Sequence, residues 1–345
     1  MLLLMKLLGC LCLFLSAVLM TGLLRKYALS RQLMDIPNSR SSHTVATPRG
    51  GGVAIVIAFL AALPVLSLSG LLSWALCLGL LGAGALVAII GFMDDHGHIA
   101  ARWRLAGHFI ASAWALVWLG GFPSLQILGF QLDVGWAGGA VAAVYLVWML
   151  NLYNFMDGID GIASVQAVFV CLAGCLLYWL TDNRELIWMP LALALAVAGF
   201  LYWNFPPARI FMGDAGSGFL GLTLGILSLQ AAWCSSSLFW AWLILLGVFI
   251  VDATWTLLRR LFRGDKVYEA HRSHAYQYAS RHFGQHRIVT LSVLVINLVW
   301  LLPVAIAVAL GGIDGFVGLL LAYVPLVVLA MRFNAGKLEK KAAGG

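Results

Sequence analysis

LLSWALCLGLLGAGALVAIIGFMDD, residues 71–95, is the stretch whose reading decides the fold. Its first 23 residues carry no charge, and the run then stops at Asp94 and Asp95. About 20 apolar residues in a helix cross the ~30 Å hydrocarbon core of a bilayer. The run therefore reads as a membrane span, and the two carboxylates mark the point where it leaves the lipid.

Ten further stretches have the same character: 2–24, 51–69, 104–120, 136–153, 163–180, 186–203, 215–232, 238–258, 288–310 and 313–331. The expected fold is all-α, a polytopic membrane protein of about eleven spans, with ten as the nearest alternative. Composition agrees. Hydrophobic residues are 62% of the chain and charged residues 10%, against roughly 25% charged in soluble proteins. The first stretch is long enough to span and lacks a small-residue cleavage site, so it reads as a retained helix. Six cysteines sit in or beside apolar stretches with no zinc-type spacing and read as small core residues. Residues 1–336 form one membrane domain, followed by a short basic tail, 337–345, expected to be disordered.

Charge sets the expected orientation. Of 21 Lys and Arg, Lys6 and Arg184 fall on the side where the chain starts, and the other 19 follow odd-numbered spans. Cytoplasmic loops are enriched in Lys and Arg, so the amino terminus is expected outside and the carboxyl terminus in the cytoplasm. The net charge of +7 then belongs to the inner face, where it would attract an anionic substrate. Longer loops on that face, 25–50 and 259–287, point to the same working side.

Four polar constellations lie at span ends on that face. Adjacent carboxylates such as Asp94 and Asp95 repel unless a cation relieves them, and Mg²⁺ takes one or two carboxylates plus waters and phosphate oxygens. The second constellation is Asn151-Leu-Tyr-Asn154-Phe-Met-Asp157-Gly158-Ile-Asp160-Gly161. It supplies acceptors for a hydrated cation, a ribose or a base edge. The third runs from Asn204 through Pro206, Pro207, Arg209 and Phe211 to Asp214, Gly216, Ser217 and Gly218. The prolines should stop a helix. Asp214 should open the next one, whose amide groups can bind an anion, and Phe211 offers a face for a base. The fourth is Glu269-Ala-His271-Arg272-Ser273-His274, where a helix would place both histidines on one face, beside Arg272, to hold a pyrophosphate. His282 and His286 read as a solvated basic loop. Arg102 and Arg104 precede a span, where arginines commonly snorkel. Asp252 lies inside an apolar stretch and is a functional candidate, or a partner for Arg259 or Arg260.

At these residues the chain resembles the polyprenyl-phosphate N-acetylhexosamine-1-phosphate transferase family (MraY/WecA-like glycosyltransferase 4 family). Thr47-Pro-Arg49-Gly-Gly-Gly52, Gly91-Phe-Met-Asp94-Asp95, Asn154-Phe-Met-Asp157-Gly-Ile-Asp160-Gly161 and Arg209-Ile-Phe-Met-Gly213-Asp214-Ala-Gly216-Ser217 carry the resemblance, in family order. Asp35-Ile-Pro-Asn-Ser-Arg40-Ser-Ser-His43 and His271-Arg-Ser-His274-Ala-Tyr-Gln277 resemble its WbpL-like branch, which initiates O-antigen synthesis. Where the family has a denser histidine motif, this chain has Ser273 between its histidines.

The resemblance implies transfer of a sugar-1-phosphate from UDP-N-acetylhexosamine to undecaprenyl phosphate, with release of UMP. It implies the cofactor Mg²⁺ (Mn²⁺ as a substitute), a bacterial inner membrane with the active site on the cytoplasmic side, a homodimer as an allowed assembly, and no nucleic acid partner. Asp214 then corresponds to the principal metal ligand, and Asp94 and Asp95 to the pair contacting metal and lipid phosphate. Asn154 and Asp157 correspond to the catalytic centre, Asp160 and Phe211 to uracil recognition, and Asn204 to the nucleoside site. Arg102 and Arg104 lie near the phosphates. Thr47, Arg49, His271, Arg272 and His274 complete the substrate-binding set.

The expected chemistry is one in-line displacement by the lipid phosphate, with an aspartyl-phosphate route as the alternative. A secondary transporter would place its ionisable groups near the midplane and often show internal repeats, and neither feature is visible. A CDP-alcohol phosphotransferase would group its aspartates in one run, whereas here they spread over three loops.

Overall fold

The structure, a computed structural model, describes residues 2–37, 42–97, 99–266 and 271–338. Asn38, Ser39, Arg40 and Ser41 of the first long loop, Glu269 of the histidine segment and the tail from 339 lie outside the described residues. The first half comprises α1 (Leu2–Ser30), a short antiparallel pair β1 (Met34–Asp35) and β2 (Thr47–Pro48), α2 (Gly52–Leu68), α3 (Trp74–His96) and α4 (Ala101–Leu119). A hairpin, β3 (Leu125–Ile127) and β4 (Phe130–Leu132), leads into α5 (Ala137–Phe155), α6 (Ile162–Leu180), α7 (Trp188–Asn204) and α8 (Asp214–Cys234). The last third holds α9 (Ser236–Leu245), α10 (Gly247–Phe262), α11 (Ala275–Phe283), α12 (His286–Ile296), α13 (Leu302–Ala309) and α14 (Gly315–Arg332).

Each of the eleven expected stretches coincides with a helix or with abutting helices. Eight spans among the described residues are long and apolar enough to cross a membrane, nine if α9 and α10 count as one span bent by 71°. Two of the eleven fall short of that measure for visible reasons. The helix α2 has only 17 residues, and α4 carries Arg102, Arg104 and His108. At the α9–α10 bend, Gln166 Nε2 donates to the Leu245 carbonyl at 3.0 Å, and Asn297 Nδ2 donates to Gln166 Oε1 at 2.6 Å. A carbonyl released by a bend inside an apolar bundle needs such a partner.

The centre of the bundle is α8, buried without interruption from Ala215 to Leu229. It packs on α3 and α5. Small residues make this approach close: a Cβ on Gly221 would lie 2.3 Å from the Met149 carbonyl of α5. Outward, Leu8, Leu15, Leu19 and Leu23 of α1 remain exposed, as a lipid-facing helix requires.

The alternating direction of the helices sends the carboxyl ends of α3, α5 and α7 to the same end of the bundle as the amino ends of α2, α4, α6, α8 and α12. Lys6 lies at the opposite end, 4.6 Å from the Trp188 ring. The hairpin is at that end too, with the Leu128 amide donating to Asp314.

Candidate active site

Four acidic residues from three remote segments meet where those helix ends gather. Gly91 lets the carboxyl end of α3 approach the start of α8. A Cβ there would fall 2.6 Å from the Ala215 nitrogen and from the Asp214 carbonyl carbon. Asp95, one turn on, accepts from the amides of Asp214 at 3.1 Å and Ala215 at 3.4 Å. The anion at the amino end of α8 is thus a side chain of the protein. Gly213, at φ +80°, makes the turn into α8 and leaves room for the Asp95 carboxylate.

Arg49 arrives by a separate route. The segment after β2 is strapped to the loop before α8: the Phe211 amide donates to the Pro48 carbonyl at 2.8 Å, and the amides of Gly51 and Gly52 donate to the carbonyls of Phe211 and Met212 at 2.9 Å. This fixes Arg49 Nη2 at 2.7 Å from both Asp95 Oδ1 and Asp214 Oδ1. Arg104, from the first turn of α4, pairs with Asp94 and lies 3.9 Å from Asp214 Oδ2. Asp94 also accepts the Ile99 amide at 3.0 Å.

Two clefts open from this cluster, and both include Asp214 and Asn154. The larger, about 220 Å³, is polar and runs past Asp157, Asp160, Asn204 and Phe211. The smaller, about 50 Å³, lies between α3, α4 and α5 and includes Asp94 and Arg104. Asn154 donates to Ser217 Oγ at 3.1 Å. Asn204 is buried; it takes the Ser164 hydroxyl at 3.1 Å and donates to the Ile210 carbonyl at 3.0 Å, so it braces the loop that presents Phe211. Asp160 accepts the Ala208 amide at 2.9 Å and faces His286 at 3.0 Å.

The two loop carboxylates differ in electrostatics. Burial alone would raise Asp160, but His286 and the Ala208 amide hold it below its ordinary value. Asp157 has no ion pair or side-chain hydrogen bond among the described residues. Burial, and then the carboxylate of Asp214, push its carboxyl well above the usual range.

Among the described residues, no group of three His, Cys, Asp or Glu is arranged to hold a metal ion. The donor set nonetheless suits a magnesium-type ion, which needs only one or two carboxylates. With all four ionised, as a bound cation would favour, Asp94, Asp95, Asp157 and Asp214 carry two more negative charges than Arg49 and Arg104 supply among the described residues. Arg49 already places one positive group between Asp95 and Asp214.

Other expected site residues lie elsewhere. Thr47 is buried in β2 and donates to the Val45 carbonyl. Arg102 is exposed and stacks on Trp103 at 5.6 Å. His271 and His274 do not share a helix face, because α11 begins only at Ala275 and His274 caps it. Their rings are 4.8 Å apart beside Phe155, and neither they nor Arg272 line the two clefts. Burial, then His274 and Arg260, lower His271 to about 3, so it is neutral at pH 7.

Asp252 does not pair with Arg259 or Arg260. It accepts the amides of Ala275 at 2.9 Å and Tyr276 at 3.0 Å, anchoring the amino end of α11. Asp252→Ala is expected to lower stability by about 3–6 kcal/mol, at ~1.5–3 kcal/mol for each of two hydrogen bonds to a carboxylate. Thermal unfolding of the detergent-solubilised protein measures this, and an unchanged midpoint would contradict it.

The fold and cleft define a polytopic membrane protein with an acidic centre at one end of its bundle, and comparison with known proteins says what it resembles. Residues 77–232 match the model described as glycosyl transferase family 4. The chain is 28% identical over 291 residues to a probable undecaprenyl-phosphate N-acetylglucosaminyl 1-phosphate transferase of Bacillus subtilis, covering 83% of this chain and 79% of that one. It is 31% identical over 235 residues to a decaprenyl-phosphate N-acetylglucosaminephosphotransferase of Mycolicibacterium smegmatis, covering 61% and 56%. It is 32% identical over 157 residues to a phospho-N-acetylmuramoyl-pentapeptide-transferase of Moorella thermoacetica, covering 41% and 49%. The chain thus spans about half the length of the latter two. These matches give the chain its likeness to the MraY/WecA-like family.

Proposed function

We propose that the protein transfers a sugar-1-phosphate from a UDP-N-acetylhexosamine to undecaprenyl phosphate and releases UMP. The observation that carries this reading is the pair of clefts that share Asp214 and Asn154. A transferase must bring two anionic substrates to one point from two directions. The larger polar cleft suits the nucleotide sugar, with Phe211 and Asp160 at the base. The smaller, opening beside α3 and α4, suits the phosphate of a lipid carrier. The names of the relatives agree with this division of substrates.

Asp214, facing the larger cleft with its side chain 27% exposed, would hold Mg²⁺, or Mn²⁺ in its place, with Asp94 and Asp95 adjacent. The ion would neutralise charge on the donor diphosphate. The rest falls to the protein. A phosphate monoester has a second pKa near 6, so the acceptor is already a nucleophile at neutral pH. Asp94 is committed to Arg104 and the Ile99 amide, which suits holding Arg104 against an incoming phosphate. An engaged carboxylate is a poor nucleophile, so the contact favours one in-line displacement over an aspartyl-phosphate route. Asp95 keeps the start of α8, and with it Asp214, in place.

The excess of Lys and Arg in loops on the acidic side favours the cytoplasmic face for this end, and the bacterial relatives agree with an inner membrane. The segments resembling the WbpL-like branch favour GlcNAc or a 6-deoxy-N-acetylhexosamine as the sugar, and a product that starts O-antigen assembly. A panel of radiolabelled UDP-sugars, incubated with membranes and undecaprenyl phosphate, tests the reading. Label is expected in the lipid extract, dependent on Mg²⁺ and lost with EDTA. Label that stays water-soluble, or gathers inside vesicles, would contradict it.

A further inference from the structure

His286 opens α12 and reaches back into the nucleotide cleft, 126 residues from its partner Asp160. Its Nδ1 lies 3.0 Å from Asp160 Oδ1, and its Nε2 lies 3.0 Å from the Ser42 carbonyl. Both neighbours are acceptors. A neutral imidazole donates through one nitrogen only, so the ring that satisfies both is the imidazolium. The Asp160 amide also approaches Nδ1, at 3.3 Å, but the charge-assisted bond to the carboxylate is the stronger claim on that nitrogen. One turn along, Thr290 donates to the Asp160 carbonyl at 2.9 Å. The other Asp160 oxygen takes the Ala208 amide. The carboxylate is therefore fixed from two sides and can only accept. Next to Ser42, His43 sets its ring edge-on to Phe211, with centroids 4.8 Å apart.

We propose that His286 is a positioning residue for base selection: it clamps Asp160 as an acceptor and ties the Ser42–His43 segment beside Phe211, so that the cleft takes a pyrimidine whose ring nitrogen carries a hydrogen. A uracil-type ring donates that N–H to the carboxylate. A cytosine-type ring turns a lone pair toward it, and a site built for one hydrogen bond strongly rejects the analogue that cannot make it. This inference rests on the reading that the larger cleft binds the nucleotide donor.

Calorimetric titration of the purified full-length protein with UDP and with CDP, in Mg²⁺, tests it. The wild type should prefer UDP by about a hundredfold or more. His286→Ala should weaken UDP binding about tenfold, the scale of one charge-assisted hydrogen bond, and leave CDP nearly unchanged, so that discrimination also falls about tenfold. His286→Gln, whose amide has two N–H groups, should recover part of it, and substitution of the exposed His282 should change nothing. A wild type that prefers UDP alongside a His286→Ala protein with equal preference would overturn the proposal alone. A wild type that binds no UDP would sink the donor-site reading, and this inference with it.

Discussion

Asp214→Asn should reduce transfer by about a thousandfold or more, at the upper end for loss of a single electrostatic contact to a reacting group. Among the described residues Asp214 is the one carboxylate bordering both clefts, with Arg49 at one of its oxygens and Arg104 nearer the other. Asn keeps the size of the side chain and leaves the backbone amide that Asp95 holds. The fold should therefore survive while the charge that attracts a cation is halved from two to one. The rate of lipid labelling, normalised to folded protein, is the measurement. An unaltered rate would remove Asp214 from its assigned role.

Asp157→Asn should separate stability from activity. Asp157 faces Asp214, Asp95 and Asp160, and Arg49 offsets them only in part. Its folded pKa is raised above the unfolded value, so Asp157 costs stability in full above the folded pKa, and the cost fades as pH falls from that raised value to the unfolded one. Asn carries no such cost. The variant should unfold at a higher temperature than wild type near pH 7–8 without divalent ion, with the gap closing at lower pH. Transfer should nevertheless fall by about a hundredfold, because a cation recovers in binding what the unpaired carboxylate loses in folding. A variant that is less stable and fully active would contradict both halves.

The membrane architecture was legible because apolar run length is a one-dimensional property. The segment 71–93 needed no partner to be read, and α3 follows it closely. Even the spans followed closely by polar groups, 136–153 and 186–203, became α5 and α7. The bend at Leu246 was not legible, since it depends on Gln166 and Asn297 from other helices.

The acidic motifs were visible for a similar reason. Carboxylates at span ends are costly in any arrangement, so their presence alone signals a site. Their division of labour was not visible. Asp95 serves the backbone of α8, Asp252 serves α11, and Asn204 braces a loop. Each depends on hydrogen bonds to groups far away in sequence. His286 looked like part of a solvated basic loop because its neighbours in sequence are polar, and its partners, Asp160 and Ser42, leave no local trace. His271 and His274 misled in the other direction: spacing suggested a helix face, but Asp252 starts α11 after them.

Manganese titration followed by electron paramagnetic resonance addresses the convergence of these carboxylates most directly. The wild-type protein should bind one Mn²⁺, displaced by Mg²⁺, and Asp214→Asn should lose it. Equal binding by the two proteins, or none by the wild type, would contradict a single cation held where the three acidic segments meet.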